Sequence, residues 1–179
     1  RRVKELVVSQ DVAPTILDLC GIATPGGMQG RSLRPLLWGE PVEWRSDFFC
    51  ESLILLQDYP VIQGVRSSDW KYIRYWPNRK TPEDYRGLLN LGLNGESPAY
   101  EELFHLAADP LEQRNLASDP KQAARLQAMR TRCVELVRET RGDPQAIPTI
   151  PVAEWANETP GDWKDVLPLL SRKNAAKGE

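Results

Sequence analysis

Only three cysteines, Cys20, Cys50 and Cys133, occur in 179 residues, widely spaced and odd in number. They supply neither a disulfide framework nor a paired-cysteine zinc site, and they leave the redox compartment open. Histidine is nearly absent, with His105 the single example. Apolar runs such as Leu53 to Leu56 fall far short of the roughly 20 residues a membrane-spanning helix needs, so no membrane span is expected. Neither sign of charge dominates. The formal net charge is −2, and no Lys/Arg block is dense enough for a nucleic-acid footprint or a polybasic membrane anchor. Repeats and low-complexity tracts are missing as well. The chain does not start with Met, and Arg1-Arg2-Val3-Lys4-Glu5-Leu6-Val7-Val8 lacks the apolar region of a signal peptide. It is expected to be a piece of a longer protein.

What is present has the composition of an ordinary soluble globular chain long enough to bury a core. Leu6 to Ser9 predicts a short strand, and Asp11 a helix cap, with Pro14 at a position that needs no backbone donor. Val12, Ile16, Leu19 and Cys20 share one helical face, which Gly21 ends. Pro25 to Pro41 is connecting structure, in which Pro35-Leu36-Leu37 makes at most a turn of helix. Asp47 to Leu56 predicts a buried strand, and Val65 to Trp76 a hairpin around Ser67-Ser68-Asp69. Asn78 to Ala99 has no period and reads as a long excursion. Glu102 to Leu106 predicts a fourth strand, closed by the Asp109-Pro110 turn. Ser118-Asp119-Pro120 then caps a helix with the apolar stripe Leu126, Met129, Cys133, Leu136 and Val137, ending at Gly142. Beyond it lies a proline-rich tail.

Four segments, in this order, resemble the C-terminal third of the type I sulfatases of the alkaline phosphatase superfamily. They are Val8-Ser9-Gln10-Asp11-Val12-Ala13-Pro14-Thr15-Ile16-Leu17-Asp18-Leu19-Cys20-Gly21-Ile22, Met28-Gln29-Gly30-Arg31-Ser32-Leu33, Gln63-Gly64-Val65-Arg66-Ser67-Ser68-Asp69-Trp70-Lys71-Tyr72-Ile73-Arg74-Tyr75, and Glu102-Leu103-Phe104-His105-Leu106 with Asp109-Pro110-Leu111-Glu112 and Asn115-Leu116. The resemblance implies an α+β chain. Residues 1–40 would end an alkaline-phosphatase-like α/β domain, and 41–141 would form a small antiparallel sheet of about four strands packed by a C-terminal helix. Residues 142–179 would be the proline-rich tail. It also implies hydrolysis of a sulfate ester, of a small molecule or glycan, by a parent enzyme of which the remainder is this chain's partner. Secretion or a periplasmic location is common in the family, but the sequence does not fix one.

The same resemblance defines what the chain does not carry. Sulfatases of this type use a formylglycine made from a cysteine or serine followed two residues later by Pro and four later by Arg. None of Cys20, Cys50, Cys133 or the serines has that context. The calcium that holds the sulfate takes its oxygen ligands, in the family, from segments upstream. Formylglycine and calcium are therefore expected in the parent and not here, and the chain alone is expected to be inactive. Its expected contribution is to the shape of the substrate cleft.

Candidate substrate contacts are Glu51, at a strand end where the family often continues with His and this chain has Ser52; Gln57, Tyr59 and Gln63, around the strand-to-hairpin turn; and Arg66, which with Lys71 and Arg74 could face an anionic glycan. Each has a plain reading beside it: a strand-end carboxylate for Glu51, a solvated polar loop for Gln57, Tyr59 and Gln63, and ion pairing for the cations. Trp70, Tyr72, Tyr75 and Trp76 suit a sugar platform less well than a core. His105 suits an ordinary strand position. Asp11 and Thr15 are accounted for by capping and packing, and Asp109, Glu112 and Asn115 by a turn and its hydrogen bonds. Two rivals remain: a phosphonate or phosphate ester hydrolase of the same superfamily, and a non-catalytic glycan-binding module. The fragment reading alone calls for an exposed apolar face where the rest of the protein would pack.

Overall fold

The computed structural model describes residues 2–52, 60–76 and 90–141. The chain divides into two compact units, Arg1–Phe48 and Phe49–Glu179.

In the first unit a 3-10 turn at Ser9–Asp11 leads into α1, Val12–Leu19. α1 ends as Gly21 predicts. Gly21 takes φ +71, its N–H donates to Asp18 O, and the N–H of Ile22 reaches back to Leu17 O at 2.8 Å. This is the left-handed close that needs no Cβ. A second short helix, α2, covers Arg34–Trp38 and ends at Gly39. One expectation is corrected here. Leu6 to Val8 forms no strand: Val8 is extended (φ −129, ψ 161), but no described segment pairs with it, and a ladder needs a partner. The apolar face of α1, on which the sequence places Val12, Ile16 and Leu19, lies outward, and this is the exposed apolar face that the fragment reading calls for. The buried side of the helix is Pro14 and Thr15, while Val12, Ile16 and Leu19 are 53–56% exposed.

The second unit is a four-stranded sheet in the order β1-β2-β3-β4, with β1 Asp47–Ser52, β2 Val61–Ser67, β3 Trp70–Trp76 and β4 Tyr100–His105. The hairpin is as read from sequence, with Val65 opposite Tyr72 and Arg66 opposite Lys71. β3 and β4 pair antiparallel with Tyr72 opposite Leu103. β1 corrects the expectation of a buried strand, because it lies at the sheet edge and its residues are half-buried or exposed. Leu53 to Leu56, Gln57, Tyr59 and residues 77–89 lie outside the described residues, as does the tail from Gly142.

Asp119 caps the last helical segment as expected, accepting from the N–H of Lys121 at 3.0 Å, with Pro120 next to it. A 3-10 turn at Pro120–Gln122 continues into α3, Ala123–Arg141. The predicted stripe is the buried one: Leu126, Met129, Cys133, Leu136 and Val137. The first four pack on the cross-strand row Val65, Tyr72 and Leu103. Each large apolar side chain there contributes roughly 1.5–3 kcal/mol through burial. The architecture is α+β, one helix on one face of an antiparallel sheet.

Candidate functional site

Side chains alternate across a pleated strand and antiparallel partners share a face. The register therefore sorts the candidates. Gln63 is two residues from Val65 and lies opposite Arg74, which lies opposite Glu101. All three occupy the face that α3 covers. Arg66, Lys71 and Phe104 form a row on the other face.

Gln63 corrects its loop reading. It is wholly buried in β2, where its Oε1 accepts from Arg74 Nε at 2.8 Å and Trp76 Nε1 at 3.1 Å. A side chain with no solvent exposure offers nothing to a substrate hydroxyl. Glu51 is held by the guanidinium of Arg141 at the end of α3, the plain reading of a strand-end carboxylate. Arg66 is half-exposed. Lys71 pairs with Glu112 at 2.6 Å, as expected of it. Arg74 departs from that expectation: it is 4% exposed and no carboxylate contacts it among the described residues.

The aromatic residues are core. Tyr72, Tyr75 and Trp76 are buried. Trp70 is stacked on His105 with centroids 4.4 Å apart, and the Arg125 guanidinium lies 5.0 Å over the same ring. The faces a sugar ring would use are taken.

Two buried carboxylates, Asp11 and Glu102, and the half-buried Glu101 explain where the polar residues went. Asp11 has no exposure. It accepts from the N–H groups of Val8 and Arg31, each at 2.9 Å, and from both Arg45 guanidinium nitrogens, at 2.5 and 2.7 Å. Burial pushes its carboxyl up, but Arg45 and the two backbone donors outweigh this and hold it below the usual range. Its neighbour Thr15 donates to Asp11 O and accepts from Leu33 N–H. Glu101 is likewise pushed up by burial and brought below its ordinary value by Arg130 and by the Tyr72 hydroxyl, which donates at 2.5 Å. Glu102 goes the other way. Burial raises it, and the 2.7 Å bond donated by Tyr75 only partly offsets that.

Asn115 is the contact with most reach. Its Oδ1 accepts from the N–H groups of Leu103 and Ala117, and its Nδ2 donates to Glu101 O and Tyr100 Oη. With Leu116 N–H donating to Leu103 O, it closes the outer edge of β4, which would otherwise expose unpaired backbone. The turn reading of Asp109, Glu112 and Asn115 holds, since Asp109 accepts from Arg114 N–H at 2.8 Å. Asp11's pairing with Arg45 and Gln63's with Arg74 escaped the sequence reading. Nothing local marks a partner 34 residues away.

As chemistry, the described residues hold no group of three His, Cys, Asp or Glu that could bind a metal ion. Asp11, Glu101 and Glu102 are each engaged separately, with Arg45, with Arg130 and Tyr72, and with Tyr75. Burial pushes the Cys133 thiol up to about 11, away from nucleophilic use. No helix among the described residues is long and apolar enough to cross a membrane.

Residues 1–87 match the family model described as N-sulphoglucosamine sulphohydrolase, C-terminal. A Delta 4,5-hexuronate-2-O-sulfatase of Bacteroides thetaiotaomicron is 30% identical over 162 residues, covering 84% of this chain and 28% of that protein. An ulvan-active sulfatase of Formosa agariphila is 32% identical over 127 residues, covering 65% of this chain and 26% of that protein. The chain thus spans little more than a quarter of these relatives. Among solved structures, a phosphonate monoester hydrolase of Agrobacterium radiobacter superposes with a TM-score of 0.58 at 21% identity, over 78% of this chain and 26% of that one. That likeness is one of fold.

Proposed function

Because this chain corresponds to the C-terminal portion of the sulfatases of the alkaline phosphatase superfamily, we propose that it is the cleft-shaping end of an enzyme that hydrolyses sulfate esters of carbohydrate. The observation that carries the reading is the match of residues 1–87 to a sulfatase C-terminal family. The names of the relatives, a hexuronate 2-O-sulfatase and an ulvan-active sulfatase, support a sulfated glycan as substrate.

In this reading the formylglycine nucleophile and the calcium ion belong to the upstream part of the parent. Neither a formylglycine context nor a calcium donor set occurs in the part described, and the 179 residues alone are inactive. The exposed face of α1 supports a missing neighbour. Val12, Ile16, Leu19 and Ile22, spaced along one side, are each more than half exposed. An apolar stripe of that size on a finished surface is a place where something packs. Of the substrate candidates, Arg66 is half-buried and its guanidinium is a group suited to an oxyanion, and Gln57 and Tyr59 stand with it in the proposal. Glu51 enters only if its pairing with Arg141 opens.

The rival hydrolase has the fold likeness to a phosphonate monoester hydrolase in its favour. The test is to recover the coding sequence upstream of Arg1, express the whole protein and measure sulfate release from sulfated oligosaccharides beside release from phosphonate monoesters. A Cys or Ser followed by Pro and Arg at the stated spacing, with sulfate release dominant, is the expected result. A start codon close to Arg1, or dominant phosphonate hydrolysis, would overturn it.

A further inference from the structure

The outer edge of β4 carries a groove that the reading above leaves unused. It has a volume of about 430 Å³ and lies between residues 98–101, at the start of the strand, and Asn115, Ala117 and Ser118 in the segment beside it. Small-molecule sites run from roughly 300 to 1,000 Å³, so there is room for a single sugar ring. The backbone explains why the groove is open. Asn115 and Leu116 satisfy the outward N–H and C=O of Leu103 and the C=O of Glu101, but they stop there. A strand residue turns its N–H and C=O to the same side, so the Glu101 N–H faces this edge too. Among the described residues no side chain or loop carbonyl accepts from it.

Two hydroxyls line the same space. Tyr100 Oη accepts from Asn115 Nδ2 at 3.1 Å but gives its own proton to no described acceptor. Ser118 is exposed, and its hydroxyl makes no hydrogen bond among the described residues. Pro98, Ala99 and Ala117 supply short apolar walls between these groups. The lining selects a class of ligand. It includes no Lys or Arg, and its one charged residue is Glu101, whose carboxylate is held by Arg130 and Tyr72. An anion gains nothing there. An added peptide strand does not fit either: Pro98 has no N–H, Ala99 N–H already donates to Tyr75 O at 2.9 Å, and Asn115 and Leu116 occupy the edge at Leu103. A neutral molecule with closely spaced hydroxyls, each both donor and acceptor, matches what is left.

We propose that the groove between the start of β4 and Ser118 binds one neutral, unsulfated sugar residue. The Glu101 N–H and the Tyr100 and Ser118 hydroxyls hydrogen-bond its hydroxyls, and Pro98 and Ala117 lie against its ring. The proposal rests on the glycan reading above, to which it adds a place where an unsulfated residue is held.

The test follows the backbone amide NMR shifts of the 179-residue chain as methyl β-galactoside, methyl β-glucoside or lactose is added, with glucose 6-sulfate as the anionic comparison. The amides of Tyr100, Glu101 and Ser118 should move together and saturate at roughly millimolar sugar, as an open groove with three hydrogen bonds allows. Ser118→Leu fills the groove from an exposed position and should abolish the shifts while the amide spectrum stays that of a folded chain. Tyr100→Phe removes one donor and should weaken binding about ten-fold. No saturable shift with any neutral sugar, tighter binding of glucose 6-sulfate, or shifts that survive Ser118→Leu would overturn the proposal. So would movement of the same amides on deleting residues 142–179, which would give the groove to the tail. Sulfate release by the whole protein is scored separately. Release without binding here overturns this proposal alone, whereas binding here without release supports the groove and overturns the sulfatase reading.

Discussion

Replacing Asp11 by Ala is expected to unfold the first unit while leaving the second folded. The carboxylate is fully buried and joins three stretches of chain: Val8 before α1, Arg31 in the connection and Arg45 before β1. Arg45 is itself only 10% exposed, so losing the carboxylate strands a buried guanidinium. Breaking such a pair from one side costs about 3–5 kcal/mol, and the two backbone N–H groups lose a charged acceptor besides. A unit of this size has roughly 2–7 kcal/mol to lose at 0.05–0.15 kcal/mol per residue. Hydrogen exchange measures the outcome directly. The amides of Val8, Arg31 and Leu33 should lose protection in Asp11→Ala, while those of β3, β4 and α3 keep theirs. Asp11→Ala combined with Arg45→Met should recover part of the loss, because the stranded cation is gone. Unchanged protection at Arg31, or a double variant no better than the single one, would refute the reasoning.

Asn115→Ala should cost about 1–3 kcal/mol for each backbone group of Leu103 and Glu101 left unpaired, read as a lower urea midpoint, with Asn115→Asp losing less because it keeps Oδ1. Gly30→Ala should destabilise the first unit by about 1–3 kcal/mol or more, since the added Cβ would meet the Gln10 carbonyl oxygen at 2.0 Å; amide exchange at Arg31 checks it. Glu102, raised by burial, favours folding while protonated, so the stability it allows is present below its unfolded value near 4.5 and lost as pH rises through the higher folded value. Glu102→Gln should therefore gain on the wild type as pH rises above about 4.5 and level off once pH passes the raised folded value, read by urea unfolding. Asp11 acts in the opposite sense: its stability is present above about 3.8 and lost as pH falls, and Asp11→Asn should remove that acid-side loss.

The sequence by itself determined the elements whose signals are local. Gly21 closes α1 because only a residue without Cβ takes φ +71 freely. Asp119-Pro120 begins the last helical segment through a cap three atoms long. The 3.6-residue spacing of Leu126, Met129, Cys133 and Leu136 named the face of α3 that lies on the sheet, and period-2 alternation named the hairpin. Order along the chain also carried the family, since four short motifs in sequence say more than any one. Tertiary structure decided what each polar residue does. Gln63 looks like a loop residue until its strand is paired and covered, and Asp11 looks like a cap until Arg45 arrives from 34 residues away. It also decided which face of α1 is covered. Periodicity shows that a helix has an apolar side, but only the surrounding chain determines whether anything packs against it, and here that side is left exposed.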